Sequence, residues 1–432
     1  MTATPRKEDC VEAIAKYLQS PDFELKDYSF KPFNQGTAGF MGQHLRLTAD
    51  VVFDGKFQQI SFFAKLIPTE EKHRSMVLRI FLQEAAFYSD LVPKFNSCLP
   101  PGIVVPVPKC FFIRYPQSQD LGNAKEEVII LEDLTCKGYR SLENFPPMDV
   151  PHCEAVLRSM AKLHVSSILL EESCRKTHEE NFDPKRDLFS EIKEHLLTND
   201  KSHRGNKVIR QSAESLSTAA FKLWPDKLKG LSRENVTETL MKGWTKVIEM
   251  AVSSSEYPKV VCHGDPWTNN ILFKYERGEA GREVPVDAIF VDLQVTRYAL
   301  PVFDILIFLH VCTRREFRER HLMDFLKVYH TAFGECAPEH ILHKFPFKRL
   351  VDMCDKYRDL GRIMCTMYFP IILPENDPVI IAIRKSSESV NIAKTMFSNN
   401  GDEIANYCGQ SESYRTWISD SFQECLETLN IW

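Results

Sequence analysis

The sequence has no C-x-x-C pair, no extended run of lysine and arginine, and no stretch of roughly 18 apolar residues of the kind that spans a bilayer. These absences narrow the field. Thirteen cysteines, an odd number, lie scattered from Cys10 to Cys425. Without paired spacing they read as reduced thiols, mostly small core residues, and not as a disulfide framework. A formal net charge of −5 with no basic cluster excludes a nucleic-acid partner, because duplex binding rests on cations gathered against phosphates. The first nine residues lack the apolar core of a secretory signal. The expectation is a cytoplasmic protein with no membrane insertion, and the oligomeric state is unspecified. Asn235-Val236-Thr237 spells a glycosylation sequon, which carries no weight without a secretory route.

What is present is ordinary globular composition, 44% hydrophobic and 26% charged, in a chain of 432 residues. That length exceeds what one hydrophobic core organises, so two lobes are expected. No internal repeat or low-complexity tract interrupts it. Leu45, Leu47, Ala49, Val51 and Phe53 alternate as in a half-buried strand, Asp54-Gly55 supplies a tight turn, and residues 59–67 resume extended sequence. From 76 to 92 the apolar period becomes helical, and Pro93 is expected to end that helix. Residues 128–131 read as a short buried strand. Helical patterning then dominates from about 151 to 256, and again beyond Asp304. Two strands, 271–275 and 288–291, are expected on either side of a polar loop, 276–287. The fold class is α+β: a small β-rich N-lobe at 25–133 and a larger, mainly helical C-lobe at 134–432.

His263-Gly264-Asp265-Pro266-Trp267-Thr268-Asn269-Asn270 has the form H-x-D-x-x-x-x-N and runs directly into an apolar strand. Phosphoryl transfer asks for a carboxylate that orients the attacking hydroxyl and takes its proton, and for oxygen ligands that fix Mg²⁺ against the phosphates. Asp265 suits the first task and Asn270 the second. Asp292 ends the next apolar run, Ile289-Phe290-Val291, where an ionised carboxylate is costly unless paired or metal-bound. If the two strands pair antiparallel, Asn270 and Asp292 fall at the same edge of the hairpin.

In the first third, Gly36, Gly39 and Gly42 crowd a loop before the first long strand, where backbone amides can approach phosphate oxygens. The loop is neither a G-K-[ST] nor a G-x-G-x-x-G sequence. Lys65 interrupts an apolar strand, and Glu84 falls between Phe81 and Phe87 on the apolar stripe of the following helix. A buried cation and a buried anion in adjacent elements call for each other, and such a pair holds nucleotide phosphates in kinase-like lobes.

Assembled, these residues resemble the ecdysteroid kinase-like (CHK-kinase-like) family, related to choline and aminoglycoside phosphotransferases. The matching pieces are residues 36–42, Lys65, Glu84, residues 131–134 and 161–164, the block 263–270, and Val291-Asp292-Leu293-Gln294, together spanning about 30 to 400. The resemblance implies a bilobal protein-kinase-like fold and an ATP-dependent O-kinase that uses Mg²⁺. Asp265 would be catalytic base, Asn270 and Asp292 metal ligands, Lys65 the contact to the phosphates with Glu84 orienting it, and Asp304 a brace for the catalytic loop. Pro266 and Leu293 stand where the family commonly has Leu and Phe; neither removes a charged group. The implied substrate is a small hydroxylated molecule such as a steroid, with Met364, Tyr368 and Phe369 as candidate pocket residues. Two alternatives stand beside this. A protein kinase is opposed by His263-Gly264-Asp265 in place of H-R-D, by Gln294 in place of the D-F-G glycine and by the lack of an A-P-E segment. A catalytically inactive kinase fold used for binding is opposed by the full set of reactive groups.

Overall fold

The structure is a computed structural model that describes residues 5–33, 43–67, 74–115, 127–177, 181–198, 200, 202–253, 257–278, 281–386 and 398–432. The elements run α1 (Lys7–Leu18), β1 (Glu24–Pro32), β2 (Gln43–Phe53), β3 (Lys56–Leu66), α2 (Arg74–Ala86), α3 (Val92–Cys98), β4 (Cys110–Arg114) and β5 (Val128–Glu132). Then follow β6 (Tyr139–Arg140), α4 (Val150–Thr177), α5 (Pro184–Asp187), α6 (Arg204–Leu223), α7 (Arg233–Ser253), β7 (Val260–Cys262), β8 (Ile271–Arg277), β9 (Glu283–Phe290) and β10 (Arg297–Ala299). The remainder is α8 (Val302–Cys312), α9 (Arg315–Cys336), α10 (Glu339–Lys344), α11 (Phe347–Ile372), α12 (Pro378–Ser386), α13 (Gly401–Gln410) and α14 (Glu412–Thr428). Among these helices none is long and apolar enough to cross a membrane. All thirteen cysteines are free thiols.

The first five strands form one antiparallel sheet in the order β1-β2-β3-β5-β4. Alternation assigns its faces. Leu45, Leu47, Ala49, Val51, Phe62, Ala64, Val128 and Ile130 pack with Cys10, Ala13 and Ile14 of α1 into one cluster. The opposite face presents Ile67, Ile129 and Leu131 to α2 and to the core of the helical body. Lys65 lies on that second face, opposite Ile129. Asp54 and Gly55 both have positive φ, +49° and +71°, as a primed hairpin turn needs.

Several sequence expectations need correction. Ahead of the sheet stands an unexpected helix, α1, whose buried Cys10, Ala13 and Ile14 sit at helical spacing; Arg114 pins it to β4 through Asp9 at 2.9 Å. β1 and β4 were not expected either. Pro93 does not end the helix. A wide π-turn, Phe87–Leu91, precedes it, and Pro93 enters the first turn of α3, where its missing N–H costs nothing. The strands run further than expected into 276–287, because β8 and β9 extend their pairing to Arg277 and Glu283. Pro285 is tolerated in β9 because that strand is at the sheet edge, next to a register shift.

In the helical body α8 is wholly buried, and His310 on it faces Gly361 of α11. A Cβ at Gly361 would lie well inside contact distance of the imidazole. Replacing a helical glycine by alanine ordinarily stabilises by about 1 kcal/mol. Here the sign should reverse: Gly361→Ala is expected to destabilise by about 1–3 kcal/mol through overpacking, read as a lower Tm.

Burial, with Arg318 and Arg362 nearby, holds His310 well below its usual range, so its 4.0 Å approach to Glu424 is not an ion pair at neutral pH. Burial and Lys65 likewise lower His44 to about 4. For a histidine depressed by folding, the unfolded chain takes up the proton first, and the native state loses stability as pH falls from about 6.5 toward the folded value. Between pH 7 and pH 5 a His44→Gln variant should therefore lose less Tm than wild type does.

Candidate active site

β8 and β9 pair as an antiparallel hairpin with Ile271 opposite Phe290, and the Val291 N–H extends the ladder to the Asn270 carbonyl at 2.9 Å. Asn270 and Asp292 therefore leave the open end of one hairpin side by side. Asp292 has a left-handed backbone, φ +64°, uncommon for a residue other than glycine. This turn ends the strand and aims the carboxylate at β3. Its Oδ1 lies 2.5 Å from Lys65 Nζ, and its Oδ2 accepts from Gln294 Nε2 at 3.0 Å.

Lys65 Nζ also meets Glu84 Oε2 at 2.6 Å, so the buried pair expected from the sequence forms. Glu84 is 1% exposed, and its second oxygen accepts the Leu293 N–H at 3.2 Å. Burial alone would lower the Lys65 pKa, but Asp292 and Glu84 outweigh it and hold the ammonium above its usual value. One cation thus ties the sheet, α2 and the hairpin together.

Asp265 sits in the loop between β7 and β8. Its Oδ2 accepts from Asn270 Nδ2 at 2.9 Å and from Trp267 Nε1 at 3.2 Å, and Tyr368 of α11 lies near enough to the carboxylate to favour its charged form. Burial pushes the Asp265 carboxyl above its usual range, with Asp292 adding to the rise, against the pull of His263 and of these donors. Asn270 Nδ2 also donates to the Asp265 carbonyl at 3.0 Å, which leaves its Oδ1 unengaged by the loop.

The loop is fixed from beneath. Asp304, fully buried in the first turn of α8, accepts the backbone N–H of His263 at 2.6 Å and of Gly264 at 2.9 Å, and meets His164 Nε2 at 3.1 Å. It is not an N-cap of its own helix, which starts from Pro301. His263 Nε2 donates to the Val291 carbonyl at 2.9 Å while its Nδ1 accepts the Asp265 N–H, linking the loop to the strand that ends at Asp292. Gly264 has φ +86°, and a Cβ there would collide with the Val295 carbonyl. His164, Cys262 and Asp304 cluster closely enough to suggest a metal site. Their geometry is accounted for by hydrogen bonds to backbone, to Tyr329 and to one another, and the Cys262 thiol is pushed up by burial.

Of the residues singled out from the sequence, Lys65, Glu84, Asp292, Asp265 and Asn270 come together. Gly36, Gly39 and Gly42 lie outside the described residues. Met364 and Phe369 are core side chains, each 1% exposed, whereas Tyr368 reaches the site. Sequence reasoning missed the roles of His164, Gln294 and Gln83. His164 and Gln294 lay in the matched segments 161–164 and 291–294, whereas Gln83 carried no signal, because its partners are distant in the chain.

A five-stranded antiparallel sheet with one helix against its lysine face, joined to a helical body through a hairpin bearing Asn270 and Asp292, is the bilobal protein-kinase-like fold. The chain belongs to the ecdysteroid kinase-like family, whose model matches residues 36–340. An uncharacterized kinase-like protein of Caenorhabditis elegans is 24% identical over 337 residues, covering 75% of this chain and 78% of that protein. The solved structure of an ethanolamine kinase of Plasmodium vivax aligns with a TM-score of 0.41 at 11% identity, over 93% of this chain and 83% of that one.

Proposed function

We propose that this chain is an ATP-dependent small-molecule kinase that transfers the γ-phosphate of ATP to a hydroxyl of an ecdysteroid or a similar hydroxylated lipophilic compound. Family membership supports a kinase-type activity. The observation that carries the reading is the single buried ammonium of Lys65 held between Glu84 and Asp292, beside the hydrogen-bonded pair Asp265 and Asn270.

In this reading residues 25–133 hold the nucleotide and residues 134–432 carry the catalytic loop and the acceptor. An ammonium has three hydrogens; two are directed at Glu84 and Asp292, and the third is free for phosphate oxygens. The donors at the hairpin end fit a hard divalent cation: the carboxylate of Asp292 and the amide oxygen of Asn270, left open because Nδ2 is engaged by Asp265. Mg²⁺ bound there would neutralise phosphate charge. Asp265 orients the acceptor hydroxyl and takes its proton. Its raised basicity suits it to that task, because burial and a second carboxylate both favour proton uptake. Trp267, bonded to Asp265, and Tyr368 beside it would flank the acceptor.

The test is incubation with Mg-ATP and a panel of hydroxylated steroids, read by mass spectrometry. A steroid gaining one phosphoryl group with wild type, and none with Asp265→Asn, is the expected result. Phosphorylated protein without steroid product, or nucleotide binding without turnover, would sink the proposal.

A further inference from the structure

Glu84 reaches Lys65 and the Leu293 N–H. Gln83, one residue earlier on α2, is 4% exposed and faces another way. Its Nε2 donates to the Thr296 carbonyl at 2.7 Å and to Thr296 Oγ1 at 3.2 Å. Its Oε1 accepts from the Lys193 backbone N–H at 2.9 Å and meets His195 Nε2 at 3.0 Å. A primary amide has two N–H donors and two acceptor lone pairs, so its whole capacity is engaged. Burial holds His195 below its usual range, which leaves a neutral ring able to donate from Nε2.

The amide is thus a joint between three parts of the chain: α2, the stretch that follows Asp292, and the irregular segment 188–198 between α5 and α6. That segment grips the same stretch again through Glu194, whose Oε2 lies 3.4 Å from Arg297 Nη1, while the Arg297 guanidinium lies over Phe303 at 4.2 Å. A helix anchored through one side chain can still turn about its axis. Anchored through two consecutive residues, about 100° apart on the helical wheel, it cannot.

We infer that Gln83 is a positioning residue that fixes the rotation of α2 and so holds Glu84 against Lys65, with residues 193–195 as its anchor on the far side. This rests on the reading of Lys65 and Glu84 as the phosphate-holding pair. Gln83 itself touches neither Lys65 nor the hairpin carboxylate. It acts through its neighbour.

A double-mutant cycle tests this. ADP release from Mg-ATP in the presence of the hydroxylated-steroid panel, the γ-phosphoryl group passing to a steroid hydroxyl or to water, is measured for wild type, Gln83→Met, Glu84→Gln and the double variant. Methionine keeps the volume and removes all four hydrogen bonds. The expected result is a kcat at least tenfold lower for Gln83→Met with the KM for ATP within threefold. The double variant should be no slower than Glu84→Gln alone. Additive losses, or a Gln83→Met rate within twofold of wild type, would overturn the inference, whatever happens to Tm. Should Gln83→Met fail to fold, His195→Leu removes one hydrogen bond from a half-buried side chain; a three- to fivefold slower rate, absent in the Glu84→Gln background, is then expected, and an unchanged rate overturns it. Glu84→Gln distinguishes the two failures. If that variant keeps the wild-type rate, or wild type releases no ADP, the reading of the site fails and takes this inference with it; if Glu84→Gln is slow and Gln83→Met is not, only this inference fails.

Discussion

An Asp265→Asn protein is expected to bind Mg-ATP as wild type does and to transfer phosphate about 10³-fold more slowly. Asparagine has the shape of aspartate, and the surrounding donors dictate its orientation. Asn270 Nδ2 and Trp267 Nε1 both point at one oxygen of residue 265, so the new amide will turn its carbonyl toward them. The loop geometry then survives, and what is lost is the group that accepts a proton. Nucleotide affinity by calorimetry should change little while product formation falls. A rate within tenfold of wild type would mean that Asp265 is not the base.

Asp304→Ala should have the largest effect on stability. The carboxylate is fully buried and receives three hydrogens, from the His263 and Gly264 amides and from His164. Alanine leaves all three donors without a partner, and breaking a buried charged network of this kind costs about 3–5 kcal/mol. Denaturant titration measures the loss; less than about 1 kcal/mol would show that water or another group takes the place of the carboxylate. The pH dependence has a definite sign. Burial would raise the Asp304 pKa, but the hydrogen bonds from His164 and from the loop outweigh it and hold the group below its ordinary value of 3.8. Its contribution is therefore present above that value and is lost as pH falls through the lower folded value. The gap between wild type and Asp304→Ala should close only in strong acid.

Much of the site was legible in the sequence, because charged groups placed in apolar runs are conspicuous. Lys65 in a strand, Glu84 on an apolar helical stripe and Asp292 at a strand end each pose the problem of a buried charge, and the fold answers all three with one ion network. The antiparallel hairpin followed from two apolar runs, and with it the adjacency of Asn270 and Asp292. Other features left no such trace. β7 and β10 are three residues each, too short to show a period. The partners of Asp304 are backbone amides, which every sequence has. Gln83 looks like any polar helix residue until Thr296, Lys193 and His195 are brought to it from more than a hundred residues away. Pro93 misled for a different reason: a proline stops a regular helix, but a wide turn before it restores room for the ring.

Only nine residues, 293–301, separate Asp292 from α8, and β10 fastens them to β7. Many protein kinases place here a long loop whose phosphorylation turns the enzyme on. In this chain the stretch offers two hydroxyls. Thr296 is sealed from solvent, and Tyr298 is committed to Glu171 at 2.7 Å. A modifying enzyme would find no free acceptor there, so control of turnover by covalent marking of this stretch is closed off.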